Sequence, residues 1–346
     1  MKTPCIGLVL VVLTVLSPGA GTAQIEKKAQ TGFRFLENPV SAEVIGRGAT
    51  GVTTTLDANG IFWNPAELGW VRKDIDVALN RTQGIADINY NAIAAAFHLW
   101  ENGVLGVSFL SMDYGTFYGT RVSNNAQGYE ETGEFTPHAF ALGVAFAQKV
   151  SDRFSYGVHL KYVYQNLGNA FVAPNGTTFG DPDFVISARG YSSASWTWYW
   201  PLALDVGAYY DFLYKGLRFG ASLTNISREE KYENEEFPMP FAVSFGLMVE
   251  PLQFFMGGSD AEALRVCVES RHPRDYDQKV KFGAEYSFLE AFTARVGYMS
   301  NYDERGLTAG IGIHYDVSGI PLRLDYAYEA FGIFGGVHHI SLGASY

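Results

Sequence analysis

This sequence of 346 residues has few charged residues and almost no cysteine, and both shortages limit the classes of protein to which it can belong. Charged residues make up 18% of it, whereas an average soluble domain has about 25%. The two cysteines are Cys267 and Cys5, which lies in an N-terminal stretch just before its apolar run. A mature chain without that stretch therefore cannot form an internal disulfide. The formal net charge of -11 argues against a nucleic-acid partner.

Long apolar runs are also scarce. After the N-terminal stretch, none approaches the roughly 20 residues of a membrane-spanning helix. That stretch combines a basic start, an apolar run over residues 6–16 and small residues at Gly21 and Ala23. The pattern predicts a signal peptide over residues 1–23, cleaved before Gln24. An uncleaved anchor is the alternative, but the run is too short to span a bilayer.

Local enzyme motifs are missing as well. The sequence contains no Gly-x-Ser-x-Gly, His-Glu-x-x-His, P-loop or Cys-x-x-Cys motif, so we expect no enzyme and no cofactor. A Ser/His site assembled from several strands would leave no local motif and stays open. His338 and His339 are adjacent on a predicted strand and point to opposite faces, which disfavours a shared metal ion. Asp181 and Asp183 fit a solvated turn better than a cation site.

The sequence is rich in aromatic residues and glycine, with 21 Tyr, 25 Phe and 38 Gly. Through most of the chain, apolar and polar side chains alternate with a period of two, which is typical of strands with one apolar face. In residues 277–288, for example, Val280 and Phe282 share one face and Lys281 and Glu285 the other. A soluble sandwich would show the same alternation. However, candidate strands of about 9 to 12 residues have the length that crosses a bilayer.

We therefore predict an all-β fold, a transmembrane antiparallel β-barrel of about fourteen strands that occupies residues 71–346. The predicted strands are 74–82, 89–100, 103–112, 138–149, 154–167, 196–212, 216–226, 239–250, 262–271, 277–288, 292–301, 306–316, 320–330 and 338–346.

The connections between these strands support the barrel. The long ones, 113–137, 168–195 and 227–238, all fall on the same end, as expected of outer loops opposite short periplasmic turns. The exception is the longish connection 251–261, whose aromatic residues we expect at the membrane interface. Trp196, Trp198, Tyr199 and Trp200 also suggest an interfacial girdle, with ligand stacking as the alternative.

The polar face of the predicted strands carries charges of both signs. Since a Lys or Arg facing lipid at the midplane costs roughly 2 to 4 kcal/mol, these side chains should point into the lumen. They form either a charged lining for a substrate path or a paired network that holds strands and N-terminal segment together, and we favour the network. The candidates are His159, Lys161, Arg265, Glu269, Lys279, Lys281, Glu285, Arg323, Asp325 and Glu329.

Residues 24–70 lack the strand pattern. They contain several glycines and the motif Trp63, Asn64, Pro65, Ala66. Because this stretch is too long for a simple tail, we predict a plug or hatch inside the lumen, with a short helix near residues 66–70. Proline fixes φ and asparagine can cap a turn, so the motif suits either a structural hinge or a gate for a ligand.

Two stretches carry a resemblance to a known family. Residues 46–52, Gly-Arg-Gly-Ala-Thr-Gly-Val, lead into an aspartate-containing turn and Trp-Asn-Pro-Ala-Glu-Leu at 63–68. Near the end stand Leu-Asp-Tyr-Ala-Tyr at 324–328 and His-His-Ile-Ser-Leu-Gly at 338–343. These motifs resemble the PorV/PorQ family of outer-membrane proteins, although His339 stands where that family has Arg.

The resemblance implies a function as well as a fold. PorV and PorQ serve type IX protein secretion, so a member would work at the bacterial outer membrane by binding secretion-system proteins or secreted cargo. The family is similar to the FadL-type transporters of hydrophobic compounds, which share a fourteen-strand barrel, an N-terminal hatch and an Asn-Pro-Ala motif. A hydrophobic small ligand is therefore the alternative partner, and outer-membrane lipid is expected in either case.

Overall fold

Fourteen antiparallel strands close into a barrel, in which the first strand pairs with the last. The computed structural model describes residues 30–166, 170–172, 186–188, 202–232, 235–255 and 261–346. The predicted signal peptide, the aspartates at 181 and 183 and the aromatic run at 196–200 lie outside these residues. Within the described part, no helix is both long and apolar enough to cross a bilayer.

The strand bounds follow the predicted pattern closely. The strands are β1 Ile75–Gln83, β2 Asn89–Trp100, β3 Gly103–Asp113, β4 Phe117–Val122, β5 Tyr129–Phe135, β6 His138–Lys149, β7 Phe154–Asn166, β8 Ala170–Val172, β9 Ile186–Ala188, β10 Leu202–Asp211, β11 Arg218–Ile226, β12 Glu230–Tyr232, β13 Glu235–Phe237, β14 Ala242–Val249, β15 Glu262–Pro273, β16 Lys279–Phe288, β17 Phe292–Ser300, β18 Arg305–Val317, β19 Ile320–Phe331 and β20 Gly336–Ser345. The barrel order is β1-β2-β3-β6-β7-β10-β11-β14-β15-β16-β17-β18-β19-β20.

The start of β14 differs from the prediction by a few residues. The sequence pattern placed it at residue 239, whereas the strand begins at Ala242. Pro240 explains the difference, because proline has no N–H to donate to a strand ladder. The Pro240 carbonyl instead accepts a hydrogen bond from Asn225 Nδ2 at 3.0 Å.

Alternation along each strand separates an apolar outer face from a polar inner face, as predicted. On β16, Phe282 is 49% exposed, whereas Lys281 and Glu285 of the same strand are buried. On β18, Ile311 is exposed and Thr308 is buried. An apolar outer surface of this kind suits contact with acyl chains.

The connections are asymmetric. β1 and β20 lie side by side and share one barrel end, where the Tyr346 N–H donates to Ile75 O at 2.8 Å. That end carries short turns and the short helix Leu252–Phe255, where Phe255 is exposed. The opposite end carries the longer connections, which include the two-stranded sheets β4-β5, β8-β9 and β12-β13.

Residues 30–71, which we call the N-terminal segment, contain one α-helix, α1, over Ala42–Gly46. Three 3-10 helices complete it, Arg34–Glu37, Ala58–Phe62 and Pro65–Trp70. Shorter 3-10 turns occur at Ile85–Asp87 and Gly332–Phe334.

The apolar core lies between the N-terminal segment and the inner wall of the barrel. One cluster packs Phe35 of the segment against Leu110 and Met112 of β3. A second packs Leu68 against Val104 at the other end of β3, and a third surrounds Ile45. Burying these side chains stabilises the segment in its place by the hydrophobic effect.

Candidate functional site

The N-terminal segment contacts opposite walls of the barrel from inside. Asn64 Nδ2 donates to the carbonyl oxygen of Ala208 on β10 at 3.1 Å. On the far side, the Gly48 N–H donates to Thr308 Oγ1 on β18 at 3.0 Å. A segment bonded to both of these strands spans the lumen between them.

Of the four motif residues, Asn64, Pro65 and Ala66 lie at the wall formed by β7 and β10. Asn64 is fully buried and caps the helix Pro65–Trp70, since its Oδ1 accepts the Ala66 N–H at 3.1 Å. Its Nδ2 also donates to Val52 O at 2.9 Å. Trp63 faces the other way, with its ring 5.4 Å from Lys281 Nζ.

The N-terminal segment approaches the backbone of this wall closely. A Cβ at Gly207 of β10 would lie 2.0 Å from Asn64 Oδ1, so only glycine admits the asparagine there. Nearby, Ser155 of β7 donates to the Ala66 carbonyl at 2.7 Å. Trp70 Nε1 in turn donates to Ser155 Oγ at 2.8 Å.

Glu285 is the centre of the charge cluster on the opposite wall. Its carboxylate contacts Arg47 of the N-terminal segment at 2.5 Å, Arg265 at 2.6 Å and Arg295 at 2.7 Å. Arg295 also pairs with Asp325 at 2.6 Å. Buried charges are stable only when they are paired in this way, and removing one partner leaves an uncompensated charge.

Glu269 and Lys281 bind the backbone of the N-terminal segment. Glu269 Oε2 accepts the N–H groups of Gly51 at 2.9 Å and Val52 at 3.1 Å. Lys281 Nζ pairs with Glu269 Oε1 at 2.8 Å and donates to the Ala49 carbonyl at 2.9 Å.

The remaining candidates near the seam between β1 and β20 are also paired. Arg323 contacts Asp76 of β1 at 2.9 Å and Asp57 of the N-terminal segment at 3.4 Å. Glu329 lies 3.2 Å from His339 Nε2 and 3.4 Å from Arg305.

His159 and Lys161 belong to a separate cluster around Asp205 of β10. Asp205 Oδ2 is 3.1 Å from His159 Nδ1 and 2.8 Å from Lys161 Nζ. Its Oδ1 accepts the Asn225 N–H at 2.7 Å. The other ring nitrogen of His159, Nε2, lies 2.9 Å from Ser108 Oγ.

A cavity of about 460 Å³ lies between the N-terminal segment and the wall. Its apolar lining includes Phe35, Phe62 and Leu110. Its polar lining includes the Asp205 cluster and Lys279, which donates to the Asn301 carbonyl and lies 5.0 Å from the Tyr302 ring. The cavity is therefore amphipathic, with room for a small organic molecule.

Sequence reasoning missed several partners in the lumen. Arg295 and Asp205 lie on the inner faces of β17 and β10, so strict alternation along those strands would have identified them. Arg47 carried no such signal, because it lies in an irregular Gly-rich stretch with no period to assign its direction.

Glu67 of the N-terminal segment is fully buried. Its Oε1 accepts the Thr55 N–H at 3.0 Å, and its Oε2 has no hydrogen-bond partner among the residues described. Burial raises the pKa of the Glu67 carboxyl well above its usual value. Burial therefore favours the neutral acid over the carboxylate at this position.

The closed antiparallel barrel of fourteen strands, with its apolar outer face and polar inner face, defines an outer-membrane β-barrel. The model of the type IX secretion system protein PorV matches residues 22–246, and the chain belongs to this family. It is a protein of the bacterial outer membrane.

Solved structures show the same fold at low sequence identity. The Ralstonia pickettii toluene transporter TbuX is 13% identical with a TM-score of 0.56, over 87% of this chain and 96% of that one. The Pseudomonas putida toluene transporter TodX is 13% identical with a TM-score of 0.56, over 88% and 96%. The monoaromatic hydrocarbon channel CymD is 14% identical with a TM-score of 0.55, over 88% and 96%. No curated protein matches the chain significantly.

Proposed function

We propose that this chain serves type IX-like protein secretion by binding secretion-system proteins or secreted cargo through its longer loops and the barrel mouth. The observation that carries the proposal is the PorV family match over residues 22–246. Binding of this kind requires an exposed surface and no catalysis.

The two-stranded sheet of β4 and β5 is the best docking candidate among the described loops. It projects from the loop end of the barrel and stacks Phe117 on Phe135 at 5.5 Å between ring centroids. Tyr118 and Val122 are exposed on it. Aromatic residues are enriched at protein interfaces, where they bury large areas at low cost in conformational entropy.

The contacts of the N-terminal segment support its role as a plug. Asn64 and Arg47 anchor it to opposite walls, and Glu269 binds its backbone. Paired charges of this kind favour a network that holds the segment in place over an open charged path. In this proposal the Trp63–Ala66 motif acts as the structural hinge of the plug.

Site-specific photo-cross-linking tests the proposal in intact cells. A photoreactive residue at Tyr118 should cross-link secretion-system proteins or cargo, identified by mass spectrometry. The matched control is Asp152, whose side chain is 92% exposed on a short turn at the opposite end. Cross-linking of the same proteins at both positions, or of lipid alone at Tyr118, would refute binding at this loop.

An epitope tag gives an independent check of orientation. A tag within residues 113–137 should be reached by antibody on intact cells, whereas a tag at residues 151–153 should not. Equal labelling of the two would contradict the assignment of the long loops to the outside.

The alternative function is transport of a hydrophobic small molecule. The amphipathic cavity favours it, and the fold neighbours TbuX and CymD are a toluene transporter and a monoaromatic hydrocarbon channel. Leu110→Trp would fill the cavity from β3, whereas Leu142→Trp on the outer face of β6 is the control. Reduced toluene uptake in the first variant alone, with normal cross-linking at Tyr118, would favour transport.

A further inference from the structure

Three side chains on three strands form a hydrogen-bonded line beside the cavity. Ser108 of β3 lies 2.9 Å from His159 Nε2, and His159 Nδ1 lies 3.1 Å from Asp205 Oδ2. The carboxylate can only accept, so Nδ1 carries the proton and donates to it. Nε2 is then the acceptor of the Ser108 hydroxyl proton. This is the arrangement of nucleophile, general base and orienting carboxylate that activates a serine.

The backbone makes room for the contact between Ser108 and His159. Their strands are not neighbours, because β6 lies between β3 and β7 and places Gly143 opposite Ser108. A Cβ at Gly143 would lie 2.1 Å from His159 Nε2 and 2.4 Å from Ser108 Oγ. The hydrogen bond therefore exists only because residue 143 has no side chain.

The line borders the cavity on one side. Ser108, His159 and Asp205 all line the cavity of about 460 Å³, together with the apolar residues Leu110 and Phe62. Lys161 adds a cationic donor to the same wall. Its ammonium has three N–H groups, and it donates to Asn225 Oδ1 and Asp205 Oδ2 among the described residues, which leaves one for a ligand oxygen.

We propose that Ser108 and His159 catalyse acyl transfer from a carboxylic ester with a small apolar acyl group, with Asp205 as the positioning residue. Ser108 Oγ attacks the ester carbonyl carbon while His159 Nε2 takes its proton. The carbon–oxygen bond to the alcohol then breaks, and His159 returns the proton to the leaving alcohol. Water, activated by His159, hydrolyses the acyl-serine and releases the carboxylic acid.

Lys161 supplies the positive charge that faces the carbonyl oxygen as its negative charge develops in this reaction. The apolar lining holds the acyl group, which limits the substrate to a small one. This activity is independent of secretion, because it uses the interior of the barrel and not the loops.

Labelling of the folded full-length protein with a biotinylated fluorophosphonate tests the proposal directly. The probe forms a bond between phosphorus and serine oxygen and releases fluoride, so peptide mass spectrometry identifies the labelled residue. Label on Ser108 is expected, along with slow hydrolysis of p-nitrophenyl butyrate. The matched control is Ser222→Ala, since Ser222 is also a buried inward serine, on β11, but does not line the cavity. The Ser222→Ala variant should be labelled to the same extent as the unmodified protein.

Variants separate catalysis from a structural hydrogen bond. Ser108→Ala should abolish labelling, and His159→Gln should slow it by about 10³-fold or more, given the cost of losing a triad member. Asp205→Asn should slow it and shift the pH at which the rate is half-maximal. Heat-modifiability on gels verifies that each barrel is folded. Should Ser108→Ala fail to fold, Ser108→Cys replaces it, and its thiol should react with iodoacetamide faster with His159 than without it.

The outcomes are distinct. Label on Ser108 that depends on His159 supports the proposal, whatever the cross-linking at the loops shows. No label on Ser108, or label that is unchanged in His159→Gln, overturns it and makes the line a structural polar contact.

Discussion

Asn64 offers the sharpest test of how the N-terminal segment is held in the lumen. Its side chain is fully buried and makes three hydrogen bonds, to Val52 O, Ala208 O and the Ala66 N–H. Each such bond contributes about 0.5 to 1.5 kcal/mol net. Asn64→Ala should therefore lower the free energy of local opening of the segment by about 2 to 4 kcal/mol in total.

Amide hydrogen exchange measures this opening, because exchange in a protected segment reports its local unfolding. At about 1.4 kcal/mol per factor of ten, exchange over residues 55–70 should accelerate by about 30- to 700-fold. Strands such as β16 should be unaffected, since their ladders do not involve the segment. The control Asn91→Ala removes an exposed asparagine on β2. Acceleration below threefold, or equal acceleration in β16, would refute the anchoring role of Asn64.

Three further predictions concern the plug, the lipid face and pH. Deleting residues 24–66 should leave a heat-modifiable barrel and raise ion conductance in planar bilayers, and unchanged conductance would contradict the plug. Phe282→Arg should cost roughly 2 to 4 kcal/mol of folding free energy in a urea titration with liposomes, whereas Phe282→Leu should cost little. Because burial raises the pKa of Glu67 above its ordinary 4.5, the stability that protonated Glu67 contributes is fully present below pH 4.5 and is lost as pH rises through the raised value. Glu67→Gln should flatten the dependence of the thermal midpoint on pH, and equal slopes would exclude Glu67 as its source.

The lumen charges show what a sequence pattern can and cannot decide. Alternation along β16 assigned Lys281 and Glu285 to the inner face, because neighbouring side chains on a strand point in opposite directions. It could not predict that Glu285 meets Arg47, which lies in a segment without a regular period. That contact depends on the path of the N-terminal segment across the lumen, which the packing against both walls determines.

The Trp63–Ala66 motif and Ser108 also show which features the sequence predicts and which only the packing decides. Asparagine before proline predicted a capped turn, and Asn64 caps the helix Pro65–Trp70. Its contact with β10 could not be anticipated, since it requires Gly207 to lie directly beneath it. His159 was predicted to face the lumen, whereas nothing in the sequence singles out Ser108, and the two meet only across Gly143 of an intervening strand.

The sequence by itself determined the class of fold, the fourteen strands, the face of each strand and the end that carries the long loops. These follow from local rules, in which a period of two sets the faces and chain reversals alternate between the ends. Only the tertiary structure decided which inward side chains meet. Such contacts depend on strand register, barrel closure and the route of the N-terminal segment, each of which joins residues far apart in the chain.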